Sequence, residues 1–228
     1  MRAIVWLFAR SFLRQWVLWF FVGLAGLLIV LTYQGRLLPS ARFITTGLAF
    51  LLFLSLTLIQ SFSVWLRPAW LTLMLVRPRP RWQIFLTLQG AAALAVGLAG
   101  LTLWAPVGPS LPMALLLTTS FGFALAGWIL IGLLTLSSPV LVALLAILYA
   151  FTQSWLAVYA LQGHLLAQLL DRLLPSAMTL FLQLQRVMPE NMMLRFCLEE
   201  LGTGLLITLL IGLLMRRRDI AAQLSADT

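Results

Sequence analysis

Apolar stretches close to the length needed to cross about 30 Å of hydrocarbon, roughly twenty residues each, recur along this chain and constrain its fold more than any other feature. They run from Trp16 to Tyr33, Ile44 to Leu66, Ile84 to Ala105, Pro112 to Leu136, Pro139 to Leu161 and Leu201 to Met215. Backbone groups in hydrocarbon must satisfy their own hydrogen bonds, so each stretch is expected to be a helix. The sequence therefore predicts an all-α, polytopic membrane protein with six transmembrane helices. The last stretch is the shortest and is expected to recruit residues from Phe196 onward, leaving Glu199 and Glu200 at its outer mouth.

Composition excludes the soluble alternative. With 62% hydrophobic and 9% charged residues and a mean hydropathy of +1.04, the chain lacks the polar surface that a water-soluble domain needs. The net charge of +9 does not point to nucleic acid, because the arginines punctuate the apolar runs instead of forming one basic face. Every basic residue of the positive set is arginine. With the N-terminus inside, the inner segments hold Arg2, Arg10, Arg14, Arg67, Arg77, Arg79, Arg81, Arg216, Arg217 and Arg218, against Arg36, Arg42, Arg172, Arg186 and Arg195 outside. The positive-inside rule then places both termini in the cytoplasm. Trp16, Trp65, Trp82 and Trp104 near the span ends fit an interfacial aromatic belt.

Three segments outside the spans have a pattern of their own, within a single domain covering 1–228. Residues 1–15 set Arg2, Arg10 and Arg14 against Ile4, Trp6, Leu7, Phe8 and Phe12, the pattern of an interfacial amphipathic helix. Arg10 and Arg14 also interrupt the only early candidate for a signal-peptide core, so the first span is read as retained. Residues 67–83 lie inside, where Leu71, Leu73, Met74 and Leu75 suit a short helix that Pro78 and Pro80 end; a plain basic stop between spans is the other reading. Residues 162–200 lie outside and are broken by Pro175 and Pro189. There Leu165, Leu166, Leu169, Leu170, Leu173 and Leu174 oppose Gln168, Asp171 and Arg172, as in short re-entrant or interfacial helices.

The chemistry expected of the chain is limited. A phosphate-binding P-loop needs a lysine and there is none, so any ATP-derived energy must come from a partner. Asp171, Glu190, Glu199, Glu200, Asp219 and Asp227 all fall outside the span cores as read from hydropathy, which disfavours an ion-driven carrier. The single cysteine, Cys197, excludes an internal disulfide and reads as a small apolar filler. His164, the one histidine, either caps a helix at the outer interface or joins Met188, Met192 or Met193 in binding a haem or metal. No serine has a nearby histidine or lysine base, so no catalytic residue is assigned. Within the spans, Gln60, Ser61, Ser63, Gln89, Thr118, Thr119, Ser120, Gln153 and Ser154 either bond neighbouring helices or line a polar path. Gly23 with Gly26, Gly97 with Gly100 and Gly127 with Gly132 offer surfaces for close helix approach.

The layout resembles the permease subunits of type-2 ATP-binding-cassette (ABC) transporters. Three features carry the resemblance: the interfacial helix leading into six spans; Leu75-Val76-Arg77-Pro78-Arg79-Pro80-Arg81-Trp82-Gln83-Ile84, similar to the family's Leu-x-x-Pro-x-x-Arg-x-x-(aliphatic) pattern; and a glycine-containing last span ending Met215-Arg216-Arg217-Arg218-Asp219-Ile220. Many members carry an acidic, glycine-containing run before that pattern, whereas Arg67-Pro68-Ala69-Trp70-Leu71-Thr72 has no acid. The resemblance implies a multi-pass subunit of a bacterial cytoplasmic (inner) membrane, binding no cofactor or nucleic acid itself. It would pair with a second permease subunit, identical or related, and with two copies of an ABC ATPase that holds the ATP and Mg2+. Trp70, Leu71, Leu75, Arg77, Pro78, Arg79 and Arg81 would form the coupling segment, and Gln60, Ser63, Tyr149 and Gln153 would line the path along spans two and five. Two other readings are a haem or cofactor exporter subunit of cytochrome maturation, and a non-transporting membrane scaffold.

Overall fold

A computed structural model describes residues 2–36, 39–66, 81–100, 110–136, 138–175, 180 and 189–226. Among them there is no β-strand, and they include the helices α1 (Arg2–Leu13), α2 (Trp16–Tyr33), α3 (Pro39–Trp65), α4 (Arg81–Gly100), α5 (Leu111–Leu136), α6 (Pro139–Leu161), α7 (Leu165–Leu173) and α8 (Glu190–Ala226). The all-helical reading of the sequence therefore holds.

Among the described residues, three helices are long and apolar enough to cross a membrane: Trp82–Gly100, Leu111–Leu136 and Asn191–Met215. A fourth candidate is the pair Val5–Leu13 and Trp16–Leu28, bent by 61° at its break, and shorter apolar helices cover Phe50–Trp65 and Pro139–Thr152. Helix α2 ends at a glycine turn, where Gly35 takes φ 68° and the Arg36 N–H donates to the Leu31 carbonyl. That bond caps the carbonyls left open at a helix C-terminus, and the positive φ is why glycine stands there.

The core is built around α5. Its residues Ala114, Leu117, Thr118, Ser120, Phe121, Gly122 and most of those up to Leu134 are buried, because neighbours cover it on several sides: α4, α8, α3 and α6. The closest approach is between α4 and α5. A Cβ placed on Gly97 would collide with the Thr119 hydroxyl, one on Gly100 would meet Thr118 Cγ2 at 2.6 Å, and one on Gly122 would meet Val96 Cβ at 2.7 Å. Small residues let the two backbones come together, and packing without voids is what holds helices in an apolar solvent. Gly23 and Gly26 differ: nothing lies within 4 Å of a Cβ at either, so they make no such approach.

Helix α1 is more than a surface float. Its Phe8 and Phe12 are buried, with Phe8 5.4 Å from Phe62 of α3 between ring centroids, and α1 also packs on α4. Helix α7 is the amphipathic piece expected between spans. Ala167 faces the protein while Leu165, Leu166 and Leu169 are exposed, so its leucine face is turned away from the bundle, as suits an interfacial helix.

Candidate functional site

The polar centre of the molecule is Gln89, on α4 and fully buried. Its side-chain amide donates to two carbonyls on two other helices, Phe123 of α5 at 2.8 Å and Gly204 of α8 at 3.1 Å. Its Oε1 accepts from the Thr208 hydroxyl at 2.5 Å. The amide orientation follows from this set: reversed, its oxygen would face two carbonyl oxygens with no proton between them. One glutamine thus ties α4, α5 and α8 at a single level. An amide buried in an apolar bundle is tolerated only when bonded in this way.

The local sequence makes room for it. A Cβ on Gly127 would meet Gln89 Nε2 at 2.7 Å, and one on Gly204 would run into the Phe123 ring. Glycine at both positions is therefore required by the amide and ring that fill the space. Along α8, the inward face continues through Met193, Phe196, Cys197, Glu200, Ile207, Thr208, Ile211 and Met215, all buried.

Glu200 departs from the sequence expectation. Helix α8 begins at Glu190, well before Phe196, and runs without a break through both glutamates. Glu199 faces outward and pairs with Arg195 at 2.8 Å. Glu200, one residue on and about 100° around the helix, is turned inward and only 6% exposed. It lies beside Cys197, which is within hydrogen-bond reach of Ser120 on α5. A carboxylate therefore does lie inside a candidate span, contrary to the distribution read from hydropathy alone. The cysteine is the buried filler expected.

Of the expected path residues, Gln60 is exposed, and Ser63 is half-buried with its hydroxyl donating to the Gln60 carbonyl at 2.9 Å. Tyr149 is half-buried, and its hydroxyl donates to the Pro175 carbonyl at 2.5 Å, joining α6 to the chain beyond α7. Their parent helices α3 and α6 pack together. The Gln153 side chain lies outside the described residues. So do Trp70, Leu71, Leu75, Arg77, Pro78 and Arg79 entirely, and Arg81 is described in its helical backbone but not its side chain. Thr118 bonds across to the Gly97 carbonyl at 3.2 Å, whereas the buried Ser61 and Thr119 hydroxyls have no hydrogen-bond partner among the described residues.

The residues weighed for haem or metal are dispersed in environment. His164 is exposed at the N-cap of α7 with no side-chain cap bond, Met193 is buried, Met192 is exposed, and Met188 lies outside the described residues. Among the described residues no group of three His, Cys, Asp or Glu converges on a metal position. Chemically, the arrangement around Gln89 is a clamp that joins three helices. No protein family, curated protein or solved structure matches this chain.

Proposed function

We propose that this chain is the membrane-spanning permease subunit of a type-2 ABC transporter, an exporter that crosses the bacterial cytoplasmic membrane six times with both termini inside. It moves its substrate with ATP hydrolysed by a separate ATPase, and it acts as a dimer with an identical or related permease chain.

The observation that carries the reading is the position of α1. Its buried Phe8 and Phe12 brace the end of α3 through Phe62, and the same helix packs on α4. Helix α3 ends at Trp65 and α4 starts at Arg81, so α1 holds both helices that flank the coupling segment. A push from an ATPase on that segment is then delivered to two membrane helices at once instead of being lost in a loose loop. For such a push to do work, the ATPase must contact the segment differently in its two nucleotide states. The Gln89 clamp supports the same reading, since α4 is bonded to α5 and α8 and would carry them with it.

The test is mild-detergent purification of the tagged chain with mass spectrometry of what accompanies it, beside a variant with Arg79→Glu and Arg81→Glu. A P-loop ATPase that co-purifies and is released by the charge reversal supports both the subunit and its coupling segment. Absence of an ATPase under every gentle condition would sink the proposal and favour the membrane scaffold.

A further inference from the structure

A half-open cavity of about 380 Å³, within the size range of ligand pockets, lies between α1, the Arg14–Gln15 turn that follows it and the end of α3 at Val64 and Trp65. Arg10, Ser11, Arg14 and Gln15 supply its polar wall, and Leu7 and Trp65 its apolar wall. Arg10 and Arg14 are one helical turn apart on the same face, a like-charge pair that repels. Arg10 lies over the Trp6 ring at 5.2 Å, a contact that orients the guanidinium without neutralising it. Helices α3 and α4, the elements packed on α1, contain no acidic residue, and α1 contains none either. The first acid in the chain is Asp171. Two guanidinium groups therefore share a cavity to which α1, α3 and α4 bring no counter-charge.

The surroundings indicate where the counter-charge comes from. Leu13, Trp16 and Trp19 beside the bend are exposed apolar side chains, and Trp19 Nε1 is anchored to the Leu13 carbonyl at 2.7 Å. This is amphipathic surface of the kind that sits at a bilayer interface. A free anion would satisfy the arginines and leave that surface bare; a phosphate carrying acyl chains satisfies both.

We infer that this cavity, between α1, the turn after it and the end of α3, binds the phosphate of an anionic phospholipid, held by Arg10 and Arg14 with its chains along Leu13, Trp16 and Trp19. The site needs no ATPase and stands independently of the permease proposal. It fixes the helix that braces α3 and α4 to the membrane surface.

The full chain is placed in nanodiscs of mixed phosphatidylglycerol and phosphatidylcholine, and retained lipid is read by native mass spectrometry. Each basic residue near an anionic surface contributes a factor of about five, so Arg10→Gln with Arg14→Gln should lower phosphatidylglycerol retention roughly thirtyfold. Arg10→Lys with Arg14→Lys should keep most of it, and Arg36→Gln, at the far end of α2, should change nothing. Equal retention in wild type and the double glutamine variant overturns the site, as does a loss of the same size in Arg36→Gln. Inorganic phosphate, titrated by 31P NMR against the chain in phosphatidylcholine discs, should not saturate in the same range; saturation there would replace the lipid with a free phosphate. Retention of an acidic partner protein, but not of phosphatidylglycerol, that depends on the two arginines would overturn it in favour of a protein contact.

Discussion

The Thr208 hydroxyl donates to Gln89 Oε1 at 2.5 Å, across 119 residues of sequence, joining the middle of α8 to the middle of α4. Thr208 has a second acceptor within reach, its own Gly204 carbonyl at 2.9 Å. Losing the glutamine therefore does not orphan the hydroxyl. A double-mutant cycle with Gln89→Leu and Thr208→Val should give a coupling of about 0.6–1.7 kcal/mol, the range for hydrogen bonds between membrane helices. Strict additivity in a detergent unfolding assay would show that the bond contributes nothing.

Glycines that look alike in sequence should respond oppositely to alanine. At Gly204 and Gly97 the added methyl strikes the Phe123 ring or the Thr119 hydroxyl, and overpacking of this kind costs roughly 1–3 kcal/mol. Gly23 and Gly26 have open space around them in the middle of α2, so alanine there should stabilise by about 0.5–1 kcal/mol through helix propensity. Melting temperatures of the four variants check both signs. Phe123→Leu should partly rescue Gly204→Ala, since the ring is what the methyl meets.

Cys197 is the sole cysteine and is buried on α8. Maleimide labelling requires an exposed thiol, so native protein should label far more slowly than protein unfolded in dodecyl sulfate. Gly204→Ala, two turns along the same helix, should speed native labelling if it loosens the α5–α8 contact. Rapid labelling of the native wild type would contradict the inward placement of Cys197 and, with it, that of Glu200.

The Tyr149 hydroxyl bond to the Pro175 carbonyl ties α6 to the chain following α7. Tyr149→Phe removes one hydrogen bond of about 1 kcal/mol and frees the chain that follows α7. Limited proteolysis should then cut near 175–189 sooner, with little change in the global melting temperature. An unchanged digestion pattern would mean that α7 is held by its packing on α6 alone.

Period and length made the helices legible. Helices α2 and α6 have the bounds read from hydropathy, Trp16–Tyr33 and Pro139–Leu161, and Leu165, Leu166, Leu169 and Leu170 of α7 are exposed together. Gln89 was recognisable as a residue that bonds another helix, yet its partners were not: they lie 34, 115 and 119 residues away. The close α4–α5 approach was signalled by Gly97 and Gly100, but half of it is made by Thr118, Thr119 and Gly122, which a search for paired glycines passes over.

Glu199 and Glu200 mark the boundary between the two kinds of information. Hydropathy averages over a window, so two adjacent carboxylates end an apolar stretch and appear equivalent at its mouth. A helix turns about 100° per residue, so one of them faces Arg195 on the outside while its neighbour is carried into the core beside Cys197. The sequence by itself determined that this chain is helical, apolar and amphipathic at α1 and α7, because those properties follow from local composition and period. Which face of each helix turns inward, which glycines touch, and that one glutamine joins three helices were decided by tertiary packing, because each depends on the rotation of helices that meet far apart in the chain.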